Sequence, residues 1–262
     1  MAAKKNKPAS NTKHEGRSYA DRDLKLLWGR AAARCSKCRC DLVAPATTAD
    51  RAAIVGEIAH IVANSDTGPR PDPTFPKELR NKYENLILLC PNDHTPVDKQ
   101  DSSFTVEDLR QWKADHERWV TERTREAVPG VGFAELEIVT KALVGAGRTS
   151  SSDFKLLDPA HKMAHNGLTD RVKFQLTLGL SKAREVEDFV MDMGKIDVHF
   201  PERLKAGFVQ EYERYVASKV MGDALYEALA SFASGGQHDF ALQAAGRVVL
   251  AYLFEKCEVF ER

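Results

Sequence analysis

No run in this chain approaches the ~20 consecutive apolar residues of a membrane-spanning helix, and neither sign of charge predominates. Its 262 residues hold 38 Lys and Arg against 38 Asp and Glu. The first absence sets aside a helical membrane protein; the second removes bulk electrostatics as an advertisement for nucleic acid. Cysteine is sparse as well. Cys35, Cys38, Cys40, Cys90 and Cys257 are too few for a disulfide framework in a chain of this size. Four of them cluster with metal-like spacing, and Cys257, among Phe254, Val259 and Phe260, reads as a small buried hydrophobe. The first residues lack the apolar centre of a secretion signal, so a cytoplasmic location is expected.

Charge is distributed more tellingly than it is summed. Met1 to Gly16 carries four Lys against one Glu, Arg17 to Glu126 is balanced, and the remainder has 16 basic residues against 19 acidic ones. Residues 1–16 read as a disordered basic arm, an untethered tail rather than a strong phosphate-binding device. The length suits two ordinary domains.

What is present is concentrated between Gly56 and Lys99. Val55 to Val62 is rich in β-branched and apolar residues, Leu86 to Leu89 is a four-residue apolar run before a Cys-Pro break, and prolines at 69, 71, 73 and 76 exclude regular structure between them. The expected order is strand, long rigid loop, strand, helix. If the segment after Pro91 is helical, His94 and Asp98, four apart, share one face that suits a hard divalent ion. Cys35-x-x-Cys38 and Cys90-x-x-Asp93 have the spacing of two knuckles that hold tetrahedral zinc. Asp93 is an unusual fourth ligand, and Cys40 or His116 is the alternative. Thr105 and Asp108 form a capping-box pattern that opens a long helix, Phe104 to Glu126, with Leu109, Trp112, His116, Trp119 and Val120 along one stripe. On that stripe His116 reads first as a packed core residue.

Taken together, Cys35-Ser-Lys-Cys38, Ala59-His60-Ile61, Asn85-Leu-Ile-Leu-Leu-Cys90, His94 and Asp98 resemble the HNH endonucleases, and the run through Gly-Pro-Arg70 with Trp112-Lys-Ala-Asp-His116-Glu117 is similar to the HNH effector nucleases of bacterial anti-phage systems. The resemblance covers roughly residues 17–126. It implies a ββα-metal unit acting on DNA, with His60 as general base, Asn85 orienting His60 or bracing the loop, His94 and Asp98 holding Mg²⁺ or Mn²⁺, and Zn²⁺ in the knuckles. Arg70, expected at the tip of the Pro-rich loop, is a candidate phosphate contact. Two positions depart from the usual pattern: Ala59 stands where an Asp often ligates the ion, and Asp93 replaces Cys or His. Glu57, on the same strand face as position 59, is a candidate to compensate.

Residues 127–152 read as a linker containing a short helix, with a boundary near Ser150. From 153 to 262 the pattern is helical almost throughout: Phe200 to Val220, Gly222 to Phe232 and Phe240 to Phe260 each carry an apolar face. His161 and His165 read as a local structural pair. Leu157-Asp-Pro-Ala-His-Lys-Met-Ala-His-Asn166-Gly-Leu, Arg203-Leu-Lys-Ala-Gly-Phe208, Gly222-Asp-Ala-Leu and Ala251-Tyr-Leu-Phe-Glu-Lys-Cys257 resemble the C-terminal domain of effectors from ABC three-component systems. That resemblance implies docking onto an SMC/Rad50-like ABC ATPase or its accessory subunit, with homo-oligomerisation through 153–262 also open. The expectation is therefore an α+β protein: an HNH nuclease domain with flanking helices, then an all-α docking domain. The competing expectation is a catalytically inactive zinc module that binds nucleic acid or a partner protein.

Overall fold

The computed structural model describes residues 19–144, 159–256 and Phe260. The basic arm, the boundary near Ser150 and Cys257 lie outside the described residues. Helix α1, Asp21–Ala31, has no side-chain cap, but Asp21 and Asp23 in its first turn complement the helix dipole. It ends where Ala32 and Ala33 turn to positive φ (51° and 53°), and this reversal delivers Cys35 and Cys38. Leu26, Leu27 and Ala31 form its buried face.

Two small antiparallel sheets follow. Strands β1 (Val43–Ala44) and β2 (Ala53–Ile54) make a short hairpin, and β3 (Glu57–His60) pairs with β4 (Leu86–Leu89), Glu57 opposite Leu89 and His60 opposite Leu86. All four residues of β4 are buried, as a continuous apolar run in a central position requires. The long connection between β3 and β4 carries two single 3₁₀ turns, Lys77–Leu79 and Tyr83–Asn85. Helix α2, Pro91–Lys99, starts directly after β4 with Cys90 as N-cap and proline at its first position, where no backbone N–H is needed.

Helix α3, Val106–Ala127, begins with the anticipated capping box: the Asp108 N–H donates to Thr105 Oγ1 at 3.2 Å, and the Thr105 N–H donates to Asp108 at 2.9 Å. Among the described residues seven further helices follow: α4 (Phe133–Val144), α5 (Pro159–His165), α6 (Asp170–Leu180), α7 (Ala183–Ile196), α8 (Phe200–Ala217), α9 (Asp223–Ala233) and α10 (Phe240–Lys256). The described chain is thus mostly helical with two small sheets, an α+β mixture.

Helix α10 organises the helical half. Every residue from Gln243 to Ala251 is buried, as expected of a helix apolar on all sides, and α3, α4, α6, α7 and α9 pack around it. Small residues permit that density. A Cβ on Gly246 would lie 2.6 Å from the nitrogen of Ser234, the C-cap of α9, and one on Gly179 would lie 2.6 Å from the Ala251 Cβ. Helix α4, in the segment expected as a linker, buries Leu136, Val139 and Leu143 against this bundle. The two halves also share a core. Helix α1 packs on α9 and α3 packs on α10, and buried residues from Leu26 to Phe260 form one continuous cluster.

Candidate metal centre and adjoining histidine site

Both groups of candidate residues hang on α2 and the sheet before it. The first knuckle is set by backbone bonds: the Cys35 N–H donates to Cys40 O (2.9 Å), the Arg39 N–H to Cys35 O (2.9 Å), and the Ser36 N–H to Leu88 O of β4 (2.8 Å). The second is the start of α2, where Cys90 O accepts from Asp93 (3.0 Å) and His94 (2.8 Å). These bonds bring Cys35, Cys38, Cys90 and Asp93 together with their ligand atoms all within 4.8 Å of one another. Asp93 Oδ2 lies 3.3 Å from both Cys35 Sγ and Cys90 Sγ, and Cys38 Sγ lies 3.7 Å from Cys90 Sγ.

Those separations match a zinc tetrahedron. Bond lengths of ~2.3 Å to sulfur and ~2.0 Å to oxygen give edges of about 3.8 Å between sulfurs and about 3.5 Å between sulfur and oxygen. The four residues could hold one metal ion, with Asp93 offering Oδ2 as the fourth ligand atom. Its other oxygen, Oδ1, is held 3.1 Å from Lys37 Nζ, and Lys37 itself lies over the rings of Phe104 and Trp112. Cys40 Sγ is 3.4 Å from Cys38 Sγ, at the edge of the group rather than within it. His116 is not near it: buried in the core, it donates from Nε2 to Ala31 O at 3.0 Å. Burial holds its pKa below the usual 6.5, only partly offset by that bond. Burial likewise pushes Cys35 and Cys90 up to about 11. For Asp93 burial acts upward too, but bonds from Cys38, Cys35, Lys37 and Cys90 hold it below the usual carboxylate range.

One residue after Asp93, His94 points to the other side of the sheet end. Its Nδ1 is 2.9 Å from Glu57 Oε2 of β3, and its Nε2 faces Asp98 Oδ2 at 3.7 Å, one helical turn on. Because a carboxylate only accepts, Nδ1 donates to Glu57, and in the neutral ring Nε2 then presents its lone pair. That Nε2 is buried and has no hydrogen-bond partner. An orphaned imidazole lone pair beside a carboxylate oxygen, with the other ring nitrogen fixed by a second carboxylate, is the donor arrangement of a metal-binding histidine. Glu57 thus orients His94, and Asp98 lies on the other side of its ring.

His60 ends β3, with Nε2 2.8 Å from Asn81 Oδ1. Asn81 was not singled out from sequence; it sits in a polar stretch with no periodicity to mark it. Asn85 braces the loop rather than His60. Its Oδ1 accepts from the Val62 N–H (2.8 Å) and its Nδ2 donates to Val62 O and Arg80 O (both 2.9 Å).

Arg70 departs from expectation. It is buried, with positive φ (54°), and its guanidinium donates to Ile61 O (3.0 Å), Val97 O (2.5 Å), His60 O (3.1 Å) and Asp98 Oδ1 (3.1 Å). Three backbone carbonyls left unpaired by the irregular loop and the end of α2 drew the side chain inward, away from any solvent-facing phosphate contact. Arg70 instead fixes β3, the loop and Asp98 as one unit. No protein-family model matches the chain, and no curated protein aligns with it significantly.

Proposed function

We propose that this chain is a metal-dependent HNH-type DNA endonuclease with a structural zinc knuckle. The observation that carries the reading is His94: its Nδ1 is fixed by Glu57 and its buried, unpartnered Nε2 faces Asp98. His94 and Asp98 would hold a divalent cation such as Mg²⁺ or Mn²⁺, which would neutralise charge at a scissile phosphate. His60, anchored through Nε2 by Asn81, acts as the general base for the attacking water. Asn85 keeps the segment after His60 in place by holding both the N–H and the C=O of Val62. Arg70 holds Asp98 Oδ1, leaving Oδ2 turned toward His94.

Phosphodiester cleavage of plasmid DNA with Mg²⁺ or Mn²⁺ tests this. The parent protein nicks or cuts the plasmid, while His60→Ala and His94→Ala are inactive and retain zinc. Equal cleavage by parent and His60→Ala would remove His60 from the mechanism. The claim of Arg70 on Asp98 favours the second reading, a non-catalytic zinc module, and absence of cleavage by the parent even with partner proteins present would establish it.

The proposed partner is an SMC/Rad50-like ABC ATPase or its accessory subunit, bound by the helical half and restraining cleavage. Met191, Ile196 and Val198 stand exposed around the end of α7 and offer an apolar contact for it or for a second copy of the chain. Co-purification with the products of neighbouring genes, and a mass measurement in solution, decide between these.

A further inference from the structure

The turn that carries Asn85 is gripped by α1 and α3 and, through them, tied to the helical half. Tyr83, its first residue, has its ring 3.6 Å from Lys113 Nζ and 4.9 Å from the Arg30 guanidinium carbon. The Tyr83 hydroxyl accepts from Arg30 Nη1 at 3.2 Å and donates to Glu117. Lys113 donates to Tyr83 O (2.5 Å) and Leu86 O (2.6 Å), the carbonyls on either side of the Glu84-Asn85 pair. The Tyr83 N–H donates to the buried Asp23 (3.1 Å). Two ties then run into the helical half: Arg30 Nη2 to Asp223 Oδ2 at 3.0 Å, and Glu117 Oε2 to Arg171 Nη1 at 3.5 Å. Asp223, first residue of α9, is itself fixed by the Thr169 N–H (3.0 Å) and hydroxyl (2.7 Å) before α6.

We infer that Tyr83 is a positioning residue through which Asp223 and Arg171 of the helical half hold Asn85, and with it the segment after His60, in place. The inference rests on reading Asn85 as part of the site. These groups are partly buried, where a charge-assisted bond holds geometry more firmly than at the surface. The path is short: Asp223 to Arg30, Arg30 to the Tyr83 hydroxyl, the Tyr83 turn to Asn85, Asn85 to Val62. A partner that strained α9 or the start of α6 would act on the candidate site along it.

Amide hydrogen exchange on the full chain tests the inference, with the Val62 N–H as the reporter because it donates to Asn85 Oδ1, and the Ser36 N–H, donating to Leu88 O, as the control within the same half. Asp223→Asn, which keeps an acceptor for Thr169 but removes the charge facing Arg30, quickens Val62 exchange by about tenfold and leaves Ser36 unchanged. Tyr83→Phe does the same, the Asp223→Asn, Tyr83→Phe double variant is no faster than Tyr83→Phe, and Asp223→Glu restores protection. Arg30→Gln cuts the same link if Asp223→Asn does not fold. Unchanged Val62 exchange, equal acceleration of Val62 and Ser36, or additive effects in the double variant would each overturn the inference. In plasmid cleavage, Tyr83→Phe lowers kcat with KM unchanged; a raised KM at unchanged kcat counts against it. Absence of cleavage by the unsubstituted chain overturns the nuclease reading alone, and the exchange result still decides the role of Tyr83.

Discussion

Glu57 and His94 meet where β3 begins beside α2, carboxylate oxygen to Nδ1 at 2.9 Å, although 37 positions separate them in the chain. That contact decides which imidazole nitrogen offers a lone pair.

Glu57→Gln therefore tests the metal reading with little change of shape. An amide pairs with Nδ1 less strongly and leaves His94 less basic, so divalent-metal affinity and metal-dependent cleavage fall by about 10- to 100-fold. Mn²⁺ binding followed by electron paramagnetic resonance, with zinc content measured alongside, checks this; unchanged Mn²⁺ affinity would remove Glu57 from the site.

One zinc per chain is expected by elemental analysis of protein purified without chelators. Cys35→Ser and Cys90→Ser lose both the metal and solubility, because a structural site contributes folding energy directly. With Cys35 and Cys90 pushed up to about 11, both are protonated thiols near neutral pH without metal and must release protons to bind it. Zinc affinity thus rises with pH across the neutral range, and titration in weakly buffered solution acidifies it. Binding without proton release would mean that these thiols are not ligands.

Arg70→Met separates a buried brace from a DNA contact. Asp98 loses its cationic partner and three carbonyls lose their donor, which costs about 3–5 kcal/mol. Urea denaturation reads the loss. A variant of parental stability but weaker DNA binding would return Arg70 to the role expected from sequence.

His116, on α3, contributes to the pH dependence of stability. His116 has a folded-state pKa depressed by burial, so above its ordinary 6.5 it is neutral in both states and contributes nothing. As pH falls below that value the unfolded chain takes up the proton first, and stability declines until the folded-state pKa is passed. His116→Gln flattens the decline, as thermal melts between neutral and acidic pH will record. An identical slope in parent and variant would place the acid sensitivity elsewhere.

Short-range signals made part of this fold readable. The apolar run Leu86–Leu89 before Cys-Pro gave β4, Thr105 with Asp108 gave the start of α3, and the apolar faces near Phe208, Leu229 and Leu250 gave α8, α9 and α10. The knuckle residues were legible because ligand spacing is a local property. What was not legible depends on where loops run. Arg70 sits in a Pro-rich segment with the composition of a surface loop, and only the three carbonyls waiting beneath it explain its burial. Asn81 is one polar residue among several, and its pairing with His60 follows from the path of the chain from β3 to β4. The β1–β2 hairpin is two residues per strand, too short for alternation to register.

Helix α10 is buried on every side, and α3 from the front half is one of the helices around it. A gene fragment encoding only the first 126 residues would make a polypeptide whose α1 and α3 each expose a face meant for α9 and α10. Such a fragment is prone to aggregate. The front half is therefore a poor cassette for recombination: it travels with its helical companion or arrives unfolded.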